Sequence, residues 1–92
     1  MTMNTYEIRN SGLAAFLLYV LGDGSHISTK QKGTGFLFTF DDPECKCRDL
    51  QTAFFSDESV QIANARELLE CARNVSYTVG QTKQFGEWTK PE

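Results

Sequence analysis

The residue types best suited to metal binding are one histidine and three cysteines, His26, Cys45, Cys47 and Cys71. Together they could offer zinc a tetrahedral set of ligands. Cys45 and Cys47 are separated by a single residue, however, whereas zinc sites space their first pair by two residues or more. Side chains two residues apart on a helix also point about 200° away from each other. We therefore expect no metal, and we place Cys47 and Cys71 in the core.

Nucleophilic or acid–base catalysis has equally little support. His26 follows Ser25, but the chain has no nucleophile-elbow pattern, and we interpret His26 as an exposed turn residue. The carboxylates lie where helix capping or solvation explains them, and Gly33 and Gly35 belong to a turn rather than to a phosphate-binding loop. The sequence predicts a protein that is not an enzyme and uses no cofactor or small-molecule substrate.

A binding role has two candidate segments. Lys30, Gln31 and Lys32 form the one polar projection with local positive charge. Either it is a solvated hairpin tip, or it contacts a phosphate backbone or an acidic protein surface. Arg9 and Asn10, at the end of the first predicted strand, are its expected neighbours. These five residues are the predicted partner-binding site.

The second candidate segment is the polar C-terminal tail, residues 81–92, which contains Phe85 and Trp88. Aromatic side chains in such a tail either fold back over an edge of the core or remain exposed as interface anchors. The sequence leaves both alternatives open.

Periodicity and turn residues predict the elements that position these side chains. Residues 6–9 alternate as a strand, and residues 13–21 form an apolar helix after Asn10 or Ser11 that ends at Gly22. A hairpin follows between His26 and Phe40. Ile27 and Thr29 supply its first strand, residues 30–32 project as its tip, and residues 36–40 form its second strand. Asp42 and Pro43 begin a second helix, which ends near residue 55. After a short extended piece at 59–62, a third helix begins at Asn64 and ends at Gly80.

This order, β-α-β-β-α-(β)-α, predicts a single α+β domain over residues 1–92, with a small antiparallel sheet packed against two or three helices. The strand with three phenylalanines at alternate positions should face the helices. The predicted core consists of Phe36, Phe38, Phe40, Phe16, Leu17, Leu50, Leu68, Leu69 and Val75.

Charge and composition restrict the partners. The net charge of −3 argues against a free-standing binder of duplex DNA, and the only dense acidic stretch, Asp41, Asp42 and Glu44, is too short for a DNA mimic. No secretory signal is present, and the apolar segment 13–21 is too short to cross a bilayer. An odd number of cysteines without a signal suggests reduced thiols, so we expect a cytoplasmic protein with no membrane partner.

Residues 6–10, continued by 13–18, Gly22 and 36–41, resemble a family of small phage and bacterial domains of unknown function, whose last helix is similar to residues 65–69. In length and overall character the chain also resembles phage anti-CRISPR proteins acting on type I-F systems. That resemblance implies an inhibitor in the host bacterial cell that docks on subunits or the guide RNA backbone of the RNA-guided surveillance complex and blocks pairing with target DNA. The alternative is a small nucleic-acid-binding or regulatory adaptor module.

Overall fold

The computed structural model describes residues 4–22, 24–56 and 62–91. The fold is α+β, as the sequence predicts, with one antiparallel sheet and three helices. The elements in chain order are β1 (Thr5–Ile8), α1 (Ser11–Leu21), β2 (His26–Lys32), β3 (Gly35–Asp41), α2 (Cys47–Phe55), α3 (Ala65–Phe85) and β4 (Glu87–Thr89).

The sheet has the strand order β1-β3-β2-β4, and every neighbouring pair is antiparallel. Phe38 lies opposite Ile8 on one side and Thr29 on the other, and Phe40 lies opposite Tyr6 and His26. Residues directly opposite each other point to the same face. That face is covered by α1 and α3, which also pack against each other.

The core forms where α1 meets this face. α1 buries Leu13, Ala14, Ala15, Phe16, Leu17 and Leu18, against which Phe38, Phe40 and Val75 pack. The predicted core needs correction at its margins. Phe36, Leu50 and Leu68 are half-buried, and Leu69 is 62 % exposed. α3 turns the line of Cys71, Val75, Thr78 and Thr82 inward, and Leu69 lies outside that line.

Helix caps explain where α1 and α3 begin. The cap of α3 was predicted at Asn64, and that of α1 at either Asn10 or Ser11. The side chain of Asn10 accepts a hydrogen bond from the backbone N–H of Leu13 at 2.9 Å. The side chain of Asn64 accepts one from the N–H of Glu67 at 3.1 Å. Gly22, at φ 93°, ends α1 in a conformation that favours glycine.

The predicted start of α2 at Asp42 was wrong, although Asp42 does serve that helix. Its carboxylate accepts hydrogen bonds from the backbone N–H groups of Lys46, at 2.8 Å, and Cys47, at 3.3 Å. The chain first makes a turn and passes through Cys45 at φ 55°. The cap is therefore supplied from a distance, and the helix begins only at Cys47.

The C-terminal region differs most from the prediction. α3 continues through Gly80 to Phe85, and β4 then pairs with β2, so Trp88 lies opposite Thr29. Residues 81–85 are thus helix and residues 87–89 are strand, rather than parts of a loose tail. The predicted extended piece at 59–62 falls largely outside the described residues. Its described end, Ile62, is not in a strand.

Candidate binding surface

The predicted hairpin forms, with Lys30, Gln31 and Lys32 in the last part of β2, all exposed. Lys30 lies opposite Leu37, and Lys32 lies opposite Gly35, beside the turn. Lys30 is already partnered, because its Nζ lies 3.8 Å from Oε2 of Glu87 in β4. The positive charge that this hairpin offers to a partner is therefore concentrated at Lys32.

Arg9 and Asn10 have different roles. The side-chain oxygen of Asn10 caps α1, so its function is structural. Arg9 instead lines a cleft at the end of the sheet, where β1 stops and β3 begins. Arg9 therefore lines a cleft that a ligand could reach, whereas Asn10, which is also exposed, does not line that cleft.

This cleft, which we call the basic cleft, has a volume of about 490 Å³. It is lined by apolar side chains from β3 and α3 and by two cationic side chains, those of Arg9 and Lys83. The lining residues are Arg9, Ser11, Gly35, Phe36, Phe38, Val75, Ser76, Val79, Gly80 and Lys83. Gly35 pairs with Lys32 across the hairpin, so a third cation lies at the same end of the sheet.

Lys83 lines the same cleft and was not among the residues predicted for the binding site. As part of a supposed tail it had no reason to approach Arg9, which is far away in sequence. In the structure it lies in the last turn of α3, with Nζ 5.9 Å from the centre of the Phe36 ring. A lysine over an aromatic face is held by cation–π attraction and keeps its ammonium accessible. The proximity of Lys83 to Arg9 could have been predicted only if α3 had been extended beyond Gly80.

His26, predicted as an exposed turn residue, is buried with only 4 % of its surface exposed. Its ring is stacked on Phe40 and packs against Trp88, each at a centroid distance of 4.9 Å. Nε2 donates a hydrogen bond to the carbonyl oxygen of Ser28 at 3.0 Å. Burial lowers the pKa of His26 to about 4, so the ring is neutral at physiological pH.

Two threonines of α3 attach the helix to the sheet next to His26. Thr29 Oγ1 lies 2.9 Å from His26 Nε2 and 3.0 Å from Thr78 Oγ1. Thr82 donates from Oγ1 to the carbonyl oxygen of Thr29, also at 3.0 Å. With its ring engaged in this network, His26 acts as a core residue.

The tail aromatics separate into the two alternatives that the sequence left open. Trp88 folds back and covers His26, so it closes an edge of the core. Phe85, at the end of α3, is 67 % exposed.

The cysteines have the burial expected of core residues, apart from Cys45. Cys47 and Cys71 are buried, and Cys45 is exposed. Burial raises the pKa of the Cys47 thiol to about 12, with Asp42 contributing through its charge and a hydrogen bond. Across residues 4–22, 24–56 and 62–91, no group of three or more histidine, cysteine or acidic side chains is arranged to hold a metal ion.

Searches with this chain found no matching family model, no matching curated protein and no matching solved structure. Within the described part of the chain, no helix is both long and apolar enough to span a bilayer.

Proposed function

We propose that this protein is a non-catalytic inhibitor that acts in the cytoplasm of a host bacterial cell by binding a ribonucleoprotein. The basic cleft and the neighbouring Lys32 form the docking surface. The resemblance to anti-CRISPR proteins supplies a concrete partner, the type I-F surveillance complex, on which occupancy would keep target DNA from pairing with the guide.

The observation that carries this proposal is the meeting of Arg9 and Lys83 in one cleft. The chain as a whole has a net charge of −3, so two cations that share a cleft are a local concentration of positive charge. Such a patch attracts an anionic surface even when the whole molecule is acidic. A guide RNA backbone and the acidic rim of a protein subunit both present such a surface.

The decisive experiment measures how much the protein weakens binding of a duplex DNA target to a purified type I-F surveillance complex. The double variant Arg9→Glu, Lys83→Glu should need at least about tenfold more protein for the same inhibition, since charge reversal replaces attraction by repulsion at the docking surface. The hairpin variant Lys30→Glu, Lys32→Glu should have a smaller effect, because Lys30 is partnered by Glu87.

The matched control is Lys46→Glu, Arg48→Glu, which changes the net charge equally at the start of α2. These exposed residues do not line the basic cleft. All three variants should melt close to the parent temperature, because exposed charges contribute little to folding. If the control lost as much inhibition, the effect would be due to net charge alone. If the Arg9, Lys83 variant inhibited as well as the parent, the basic cleft would not be part of the docking surface. Absence of inhibition by the parent protein would eliminate this partner.

A second candidate function is direct binding of single-stranded nucleic acid. The observation in its favour is the half-buried Phe36 between cations, since exposed aromatic surface beside positive charge is typical of single-strand binders. Fluorescence anisotropy with labelled RNA over a range of salt concentrations distinguishes this candidate from an inhibitor that docks on protein subunits. Contact with phosphates gives affinity that falls steeply as salt rises, whereas an inhibitor that recognises protein subunits leaves free RNA unbound.

A further inference from the structure

A hollow of about 280 Å³ lies between α1, α3 and the β2–β4 side of the sheet, and we call it the histidine pocket. Its lining includes His26 of β2, Asn74, Tyr77 and Thr78 of α3, Trp88 of β4, and Lys90. At about 100° per residue, these positions of α3 are turned roughly 180° from the positions that line the basic cleft. The two hollows therefore lie on opposite sides of the helix.

The hydrogen bonds of the His26 ring use only one of its two nitrogens. Nε2 lies within hydrogen-bonding distance of the carbonyl oxygen of Ser28 and of Oγ1 of Thr29. A carbonyl oxygen only accepts, so Nε2 carries the proton of the neutral ring and Nδ1 keeps its lone pair. Within the part of the chain that the structure describes, no hydrogen bond reaches Nδ1. His26 therefore has an acceptor that the fold leaves unused.

This unused acceptor is reached from the histidine pocket. His26 is 4 % exposed. Even so, among the described residues no fully buried side-chain nitrogen or oxygen lacks a hydrogen-bond partner. Nδ1 therefore has access to a hollow, and the histidine pocket is the hollow that His26 lines. An acceptor left unpaired in a poorly solvated site is unfavourable, so a ligand that brings an N–H to Nδ1 gains from that contact.

The aromatic residues of the histidine pocket favour a planar ligand. Trp88 is half-buried, and Tyr77 is 61 % exposed. Aromatic side chains of this kind bind flat rings by stacking or edge contacts. The volume is below the range of about 300–1,000 Å³ typical of pockets for drug-sized ligands, so it suits a single small ring system.

Two polar side chains further restrict the ligand. The carboxamide of Asn74 both donates and accepts, and it makes no side-chain hydrogen bond within the described part of the chain. Lys90 donates from Nζ to the carbonyl oxygen of Gly24 at 3.0 Å. It takes part in neither of the two ion pairs of the described residues, so its ammonium has further N–H groups for an anion.

We propose that the histidine pocket binds one unpaired nucleobase of the adenine or cytosine type, with its amino N–H donating to Nδ1 of His26 and its phosphate next to Lys90. The same amino group has a second N–H for Asn74, whose own N–H₂ donates to the neighbouring ring nitrogen, as asparagine does with adenine. Unpaired bases also pack on aromatic side chains.

Other planar ligands use this set of groups less completely. An indole or a phenol has a single donor, which leaves Asn74 or His26 unpaired. Uracil presents a carbonyl oxygen where adenine and cytosine present the amino group, and an oxygen facing Nδ1 would bring two acceptors together. The assignment does not depend on the basic cleft, because the two sites lie on opposite sides of α3.

The test is a nuclear magnetic resonance titration of nitrogen-15-labelled protein with adenosine, cytidine and uridine monophosphates. The Nδ1 resonance of His26 should move upfield as adenosine or cytidine monophosphate binds, because a nitrogen that accepts a hydrogen bond becomes more shielded. Either nucleotide should bind at least about tenfold more tightly than uridine monophosphate. This resonance reports on the histidine directly, so a His26 variant that fails to fold is not needed.

Two variants separate the contact to the base from the contact to the phosphate. Asn74→Ala should weaken binding of unphosphorylated adenosine at least about tenfold, and alanine is well tolerated at this exposed helical position. Lys90→Gln should weaken binding of adenosine monophosphate but leave that of adenosine unchanged. Arg66→Gln is the control, because it removes a cation of α3 that does not line the histidine pocket, and it should change neither affinity.

A short single-stranded oligoadenylate identifies the source of the base. If it shifts the same resonances at a lower concentration than adenosine monophosphate, the pocket receives a base from a strand. If the two bind equally, the pocket receives a free nucleotide. Both results support a base-binding pocket.

Three results would overturn the proposal. One is an Nδ1 resonance that does not move while a nucleotide binds or when no nucleotide binds. Another is equal affinity for uridine monophosphate, and the third is an indole carboxylate that binds as tightly as adenosine monophosphate. None of these measurements uses a surveillance complex, so failure here is distinguishable from failure of the proposed inhibition.

Discussion

A neutral histidine inside an aromatic stack makes the stability of this protein sensitive to pH. His26 donates to the carbonyl oxygen of Ser28 and is stacked on Phe40. Protonation would put a charge among aromatic rings with little water to solvate it. The folded chain therefore resists protonation until its pKa of about 4, whereas the unfolded chain takes up the proton near the ordinary value of 6.5.

The direction of the pH effect follows from proton uptake. Above about pH 7 neither state is protonated at His26, and its stabilising contribution is fully present. Between pH 6.5 and about 4 only the unfolded state binds the proton, so stability is lost as pH falls. The loss approaches about 3 kcal/mol. Urea unfolding at several pH values should show it.

The control is His26→Gln, whose amide can still donate to the carbonyl oxygen of Ser28. Subtracting its unfolding free energy from that of the parent removes the carboxylates that titrate in the same range. The difference should decline from pH 6.5 to 4 and stay constant above pH 7. A difference independent of pH would show that His26 is not the group responsible.

Residue-level interpretation of the sequence was most accurate where a residue acts on its own neighbours. Asn10 and Asn64 cap helices through atoms three residues away. Asn64 was predicted as a cap, and Asn10 was one of two candidates with Ser11. Arg9 and Lys83 share a cleft because a strand end and a helix end meet in space. A local sequence pattern does not show which distant residues become neighbours in the fold, so the candidate site could be predicted only in part.

Among the elements, α3 shows how packing overrides a local preference. Gly80 is a natural stop signal for a helix, and its position predicted the end of α3. The helix continues because Val79 packs against the core and Thr82 is bonded to Thr29 one turn later. The contribution of these contacts exceeds the cost of about 1 kcal/mol for glycine inside a helix.

Replacing Gly80 by alanine should therefore stabilise the protein. A Cβ at Gly80 meets no atom within 4 Å, and alanine is favoured over glycine in a helix by about 0.8–1.0 kcal/mol. We expect the melting temperature to rise by about 4–8 °C. Calorimetry or thermal circular dichroism measures the change.

Gly22→Ala is the matched comparison. A Cβ there also meets no atom, but the backbone has φ 93°, which alanine adopts only with strain. This variant should melt at a lower temperature than the parent. If Gly80→Ala also lowered the melting temperature, the continuation of α3 through that position would be in doubt.

At the scale of the whole molecule, the strand order could not have been predicted from the hydrophobic pattern. β1 and β2 are parallel with β3 between them, and β3 and β4 are parallel with β2 between them. The connection from β1 to β2 and the connection from β3 to β4 each cross two positions of the sheet towards the same edge. The pair β1 and β2, however, runs in the opposite direction to the pair β3 and β4. With α1 and α3 on one face, the two crossovers must have opposite hands.

The usual preference for right-handed crossovers would place β4 beside β1 if the first crossover obeyed it. Particular contacts hold β4 beside β2 instead. Trp88 packs on His26, Glu87 contacts Lys30, and the N–H of Lys90 donates to the carbonyl oxygen of Ile27 at 2.7 Å. The alternation of Glu87, Trp88 and Thr89 was the only local sign of this strand, and three residues are too few to distinguish a strand from a tail.

Because the three cysteines are unequally buried, their rates of chemical modification report local unfolding of the helices that contain them. Cys45 is exposed, while Cys47 starts α2 and Cys71 lies on the inward side of α3. A thiol-specific reagent should modify Cys45 at once and reach the other two only when their helices detach. Detachment that costs about 4 kcal/mol slows modification about a thousandfold.

The order of the two slow reactions distinguishes the helices. α3 packs on α1 and two strands, whereas α2 packs mainly on α1, so Cys47 should be modified before Cys71. Mass spectrometry after timed exposure to the reagent gives both rates from a single sample. Equal slow rates for Cys47 and Cys71 would mean that the molecule opens only as a whole, without separate detachment of α2.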